Sequence, residues 1–75
     1  VIEICAAQDS YVTKKPIGRL SLPDGALIGG VIREYESHIA TDDFQIRADD
    51  KVIVMCLPEA IISTIKLFNK RGLFS

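Results

Sequence analysis

This 75-residue chain has no tryptophan, only five other aromatic residues, two cysteines and a single histidine. The scarcity of aromatic residues indicates an aliphatic core built from Ile, Val and Leu. Two cysteines are too few for the disulfide framework of a small secreted domain. Because Cys5 and Cys56 each lie in an apolar run, we expect both to be reduced thiols packed as small hydrophobic side chains.

Long apolar runs and an excess of charge are also absent. No stretch of eighteen apolar residues and no signal peptide occurs, so the sequence predicts a cytoplasmic domain. Nine basic and ten acidic residues leave a formal charge of −1, which argues against nucleic-acid binding. The chain begins inside a strand pattern without an initiator methionine. We therefore expect residues 1–75 to be one domain excised from a longer protein.

Four strands are predicted by β-branched and alternating residues. The first run, 1–7, places Glu3 and Cys5 on one face. The second, 26–33, contains Gly29 and Gly30, which indicate a bulge or a close approach by a neighbour. A polar turn, a short third strand at 38–40, an irregular stretch in which we expect Phe44 and Ile46 to point inward, and an apolar strand at 51–57 follow. The near-continuous apolar character of this last strand favours a central position covered on both faces.

A C-terminal helix is predicted from Pro58, which suits a first helical turn. Its apolar positions follow the i, i+3, i+4, i+7 spacing, and Lys66, Lys70, Arg71 and Gly72 suit its end. The predicted apolar stripe consists of Ile61, Ile62, Ile65 and Phe68. The element order predicts an α+β, two-layer domain: a four-stranded mixed sheet, an irregular connection between the first two strands, and the C-terminal helix.

This ordered set of segments resembles the TrkA C-terminal domain of potassium-uptake regulatory proteins, also called the RCK C-terminal domain. The resemblance covers nearly the whole chain. The family usually has Pro-x-Gly where this chain has Ala40-Thr41-Asp42, and Gly-Asp where it has Asp49-Asp50. The segments that carry the resemblance are VIEI, IGRLSLP, GVIR, HIA, ADDKVIVMC and the Pro58-Glu59 pair.

The resemblance implies a non-catalytic regulatory and oligomerisation domain of a Trk-type potassium uptake system. Its implied partners are an upstream Rossmann-type nucleotide-sensing domain and a membrane potassium transporter subunit, at the inner face of the cell membrane. An alternative is a ligand-binding regulatory insert of another transporter or antiporter. A free-standing adaptor is a third reading.

No cofactor is expected in this domain. The glycines at 25, 29 and 30 do not match G-x-G-x-x-G and open no helix, so a nucleotide is expected only in the separate Rossmann domain. No nucleophile, base and orienting group can be identified together, so no catalytic residue is predicted. The adjacent pairs Asp42-Asp43 and Asp49-Asp50 do not match a calcium loop, so no metal site is predicted either.

Arg33 and His38 are the candidate ligand contacts. An arginine fork and an imidazole at the end of a strand pair suit a phosphate group. Some relatives bind cyclic di-AMP with a strand-end arginine and a polar residue that starts the next strand, which correspond to Arg33 and the His38-Ile39 pair. Alternatively, Arg33 pairs with an acidic residue at the surface. We also expect a homodimer, with Ile28, Gly29, Gly30 and Val31 at its interface.

Overall fold

The structure, a computed structural model, describes residues 1–69. A four-stranded sheet is followed by one α-helix, with short 3-10 turns between them. The strands are β1 (Ile2–Cys5), β2 (Ala26–Arg33), β3 (Glu36–Ile39) and β4 (Lys51–Cys56), the helix is α1 (Ile61–Asn69), and the 3-10 turns are Tyr11–Thr13, Ile17–Arg19 and Pro58–Ala60.

The sheet has the strand order β1-β4-β2-β3. Every strand pair is antiparallel, so the predicted α+β class is confirmed while the expected mixed sheet is wrong. Parallel strands need a long crossover connection, and here β2 and β3 are joined by a tight turn instead. The predicted bulge is confirmed, because the β2–β4 register shifts between Ile28 and Gly30.

One face of the sheet, the inner face, carries the core. Ile4, Ile28, Val31, Val52 and Val54 are all buried there. Val12 and Ile46 from the connecting segments and Phe68 from α1 close this core from the other side, and Leu20, Leu22 and Phe44 pack around them. The predicted inward orientation of Phe44 and Ile46 is confirmed.

The other face, the outer face, has no layer over it within residues 1–69. β4 is central as predicted, but Met55 is half exposed, so its expected coverage on both faces is wrong. Cys5 is also exposed, which corrects its expected burial, and Cys56 is partly buried. Both thiols are free. The alternation of β1 places Cys5 with Glu3 on the uncovered side.

The buried stripe of α1 differs from the predicted one. Thr64 and Phe68 are buried, whereas Ile62 is 70% and Ile65 38% exposed. Thr64 is able to face the core because its Oγ1 donates a hydrogen bond to the Ala60 carbonyl oxygen at 2.7 Å. Helix α1 begins at Ile61, directly after the 3-10 turn Pro58–Ala60. In this orientation the side chains of Ile62 and Ile65 are exposed instead of packed in the core. The predictions for Lys70, Arg71 and Gly72 fall outside the described residues.

The β2–β3 hairpin is tighter than predicted. Glu34 and Tyr35 form a two-residue turn with φ values of 49° and 71°, so β3 already begins at Glu36. Such a turn favours residues that tolerate positive φ. Asp49, where the family usually has glycine, also has a positive φ of 71°.

Candidate functional site

The register of the hairpin places Arg33 and His38 on the same face. Arg33 lies opposite Glu36, and His38 lies opposite Val31, which is buried in the core. Residues two positions apart on a strand share a face. Both side chains therefore extend from the inner face, at the edge formed by β2 and β3.

Arg33 binds Asp50 through two hydrogen bonds. Its Nε donates to Asp50 Oδ1 at 2.9 Å, and its Nη2 donates to Asp50 Oδ2 at 2.6 Å and to the Gln45 carbonyl oxygen at 3.1 Å. These contacts leave both N–H groups of Nη1 without a partner among residues 1–69. The Arg33 side chain is 22% exposed. The guanidinium thus has a structural partner and still has two hydrogens to donate.

Asp50 is the buried member of this pair, with a side chain only 4% exposed. Burial by itself raises the pKa of Asp50. The hydrogen bonds from Arg33 and from the Arg47 backbone N–H, at 2.9 Å, outweigh that effect and leave the pKa below its ordinary value. The hydrogen bond to Asp50 raises the pKa of Arg33. The carboxylate is therefore charged, paired and fixed in position.

Phe44 connects the two candidate ligand residues. The Arg33 guanidinium carbon lies 5.0 Å from the centre of the Phe44 ring. The His38 ring lies 5.4 Å from it, tilted by 41°. The fold thus gathers Arg33 and His38 around one aromatic ring. Tilted aromatic pairs and a cation over a ring face are both favourable arrangements.

Ile39 does not join this group. It follows His38 on β3, so its side chain leaves the opposite face, where it is 82% exposed. The alternative that Arg33 pairs with an acidic residue is confirmed, but the partner, Asp50, is buried rather than at the surface and lies 17 residues from Arg33, so the sequence did not single it out. The only available signal was the acidic turn before β4.

The four residues proposed for an interface between copies divide between the two faces. Ile28 and Val31 are buried in the domain's own core. Gly29 and Gly30 instead line an open hollow of about 290 Å³ on the outer face, and Ile39 and Ile53 lie beside it. The full lining consists of Gly29, Gly30, Val31, Ile32, Ser37, His38, Ile39 and Ile53.

Neither a metal-binding cluster nor a membrane-spanning helix is found in residues 1–69. Among residues 1–69, the side chains of His, Cys, Asp and Glu form no group of three or more that would hold a metal ion. In the same part of the chain, no helix has the length and apolar character needed to cross a membrane.

Comparison with known proteins identifies relatives over almost the whole chain. The family model of the TrkA-C domain matches residues 1–69. The chain is 34% identical over 69 residues to Trk system potassium uptake protein TrkA homolog 2 of Methanosarcina mazei, and 35% identical over 66 residues to TrkA of Halomonas elongata. These matches cover 92% and 88% of this chain but only 15% and 14% of the relatives.

The architecture has a counterpart among solved structures. An RCK domain solved with cda superimposes with a TM-score of 0.75 and 22% sequence identity. The match covers 88% of this chain and 94% of that one. At this level of identity the likeness establishes a shared fold.

Proposed function

The chain belongs to the TrkA-C domain family, and from that membership we propose that it is a non-catalytic regulatory domain of a Trk-type potassium uptake system. The match of the family model over residues 1–69 carries this proposal. TrkA relatives from Methanosarcina mazei and Halomonas elongata support the link to potassium uptake. In this role the domain regulates a transporter through non-covalent contacts, without catalysing a reaction.

The proposal places the domain within a larger assembly. Because the chain spans about 15% of its relatives' length, most of such a protein lies outside it. We propose a cytoplasmic location, an upstream Rossmann-type domain and a membrane transporter partner. The sequence of the full-length protein tests this proposal. A Rossmann glycine fingerprint upstream of the domain supports it. Transmembrane spans in the same chain instead favour a regulatory insert of another transporter.

We propose that the edge around Arg33, His38 and Ile39 binds a small anionic ligand, with cyclic di-AMP as the candidate. The two N–H groups of Arg33 Nη1, which have no partner among residues 1–69, suit a phosphate oxygen. His38, whose ring lies against the same Phe44 ring as the Arg33 guanidinium, offers a further donor, and Ile39 offers an exposed apolar surface on the other side of the strand. The solved RCK domain with cda supports a small-molecule role for this fold.

Calorimetric titration with cyclic di-AMP tests the ligand proposal. We expect saturable binding by the wild-type chain and binding weakened at least about tenfold in His38→Ala, the loss of roughly one charge-assisted hydrogen bond. Ile62→Ala, on the exposed side of α1, is the matched control and should bind as wild type. No heat at high micromolar ligand would contradict the proposal.

Self-association is the remaining part of the proposed function. A domain of this size buries a small core and gains from covering further apolar surface. Exposed Leu27, Met55 and Ile39 on the outer face provide such a surface next to Gly29 and Gly30. We therefore propose a homodimer in which this face, rather than the side chains of the buried positions, contacts the partner.

A further inference from the structure

The glycines of β2 leave space that the domain itself does not fill. A Cβ atom added at Gly30 would lie 3.6 Å from its nearest neighbour, the carbonyl oxygen of His38, and one at Gly29 would lie 3.6 Å from that of Ile53. Both distances are ordinary van der Waals contacts, and neither glycine has a positive φ. The fold of the chain therefore does not require glycine at either position.

The register sets this hollow within an apolar surface. In one row across the outer face, Ile53 and Ile39 lie on either side of Gly30. In the next row, Leu27 lies opposite Met55, and the two are 63% and 51% exposed. The space above Gly30 is thus next to exposed apolar side chains that no other part of residues 1–69 covers.

We infer that the hollow over Gly30 is a socket for Leu27 of a second copy of this chain. This inference rests on the proposed self-association and names the contact that produces it. Leu27 and Gly30 lie on one strand and one face, in neighbouring rows. A two-fold axis that crosses the strands between these rows places Leu27 of each copy over Gly30 of the other, with the two sheets aligned.

The charge of the face permits a second copy as the occupant, and its area sets the strength of the contact. The outward charged side chains of the strands are Glu3 and Lys51, one of each sign, so two copies of the face do not repel. The strands have four, eight, four and six residues, and at about 3.3 Å per residue and about 4.8 Å between strands they give a face of roughly 350 Å². Pairing two such faces covers about 700 Å², a small interface that predicts a weak dimer.

The test measures the mass of the chain by light scattering from about 10 μM to about 1 mM, the range suited to a small interface. We expect the wild-type mass to rise toward twice the monomer. Gly30→Leu fills the socket and Leu27→Ala removes its occupant, so each weakens association at least about tenfold. The double variant Gly30→Leu with Leu27→Ala places the large side chain at position 30 and the small one at position 27. Since these two positions face each other across the interface, the double variant should associate again.

Ile62→Ala removes an equally exposed aliphatic side chain from α1 and should associate as wild type. Circular dichroism and thermal unfolding check that each variant folds, and Gly30→Ala replaces Gly30→Leu if the larger side chain prevents folding. A wild-type chain that stays monomeric at 1 mM, a Gly30 variant that associates normally, or a combined variant that fails to recover overturns the inference. The measurements contain no cyclic di-AMP, so absence of ligand binding leaves this result standing.

Discussion

The two faces of the sheet are built from similar residues but have opposite environments. Ile28 on the inner face is 8% exposed, and Ile39 on the outer face is 82% exposed. The inner face is covered by loops and α1, and its edge is closed by the Arg33–Asp50 pair. The outer face keeps its isoleucines, leucine and methionine uncovered within residues 1–69. Composition therefore identifies apolar strands, while only the arrangement in space separates residues that hold the fold from residues available to a partner.

Removing the buried carboxylate should have the largest effect on the inner face. Asp50→Ala leaves the Arg33 guanidinium without its ion pair, and breaking a buried pair costs about 3–5 kcal/mol. A domain of this length has a total stability of roughly 4–11 kcal/mol. We expect chemical denaturation to show a large loss, with Asp24→Ala in an exposed turn as the control. A loss below about 1 kcal/mol would show that the pair does not stabilise the fold.

A matched pair of isoleucine substitutions compares the faces directly. Ile28→Ala opens a cavity in the core and should cost about 2–4 kcal/mol. Ile39→Ala should change the unfolding free energy of the monomer by no more than about 0.5 kcal/mol. Urea unfolding at low protein concentration measures both. Equal losses would mean that the outer face is also part of the folded core.

Acid should weaken the inner-face edge specifically. Since the folded-state pKa of Asp50 is below its unfolded value, its contribution is fully present above about pH 4 and is lost as pH falls through the lower folded-state pKa. We expect the stability of wild type to fall more steeply below about pH 4 than that of Asp50→Asn. Parallel pH profiles of the two proteins would contradict this assignment.

Backbone strain at the acidic turn gives the smallest expected effect. Asp49 has a φ of 71°, a conformation that glycine adopts without steric cost. We expect Asp49→Gly to raise the unfolding free energy by about 0.5–1 kcal/mol. Ala48→Gly, at the preceding position, should instead lower it because glycine adds freedom to the unfolded chain. Thermal unfolding of the two variants should therefore shift in opposite directions.

Local patterns predicted much of this fold. The four strands, the bulge near Gly29, the inward Phe44 and Ile46, and the presence of the C-terminal helix all follow from periodicity and turn chemistry. These features depend on residues close together in sequence. Family membership was also accessible, because the order of segments is more specific than any one of them.

The predictions that failed depend on packing or on distant partners. Counting apolar spacings treats threonine as polar, so it missed that Thr64 faces the core once its hydroxyl is bonded to Ala60. The Arg33–Asp50 pair requires the β2–β4 register and the loop before β4, which no local pattern fixes. Cys5 lies in an apolar run, but its side of the sheet has no covering layer in the described part of the chain.

Concentration-dependent NMR spectra test most directly the claim that the outer face is reserved for a partner. We expect the signals of Leu27, Ile39 and Met55 to shift as the protein is concentrated, while those of Ile62 and Ile65 on α1 stay fixed. That result would map association onto the outer face of the sheet. Shifts confined to Ile62 and Ile65, or spectra unchanged up to about 1 mM, would contradict the account.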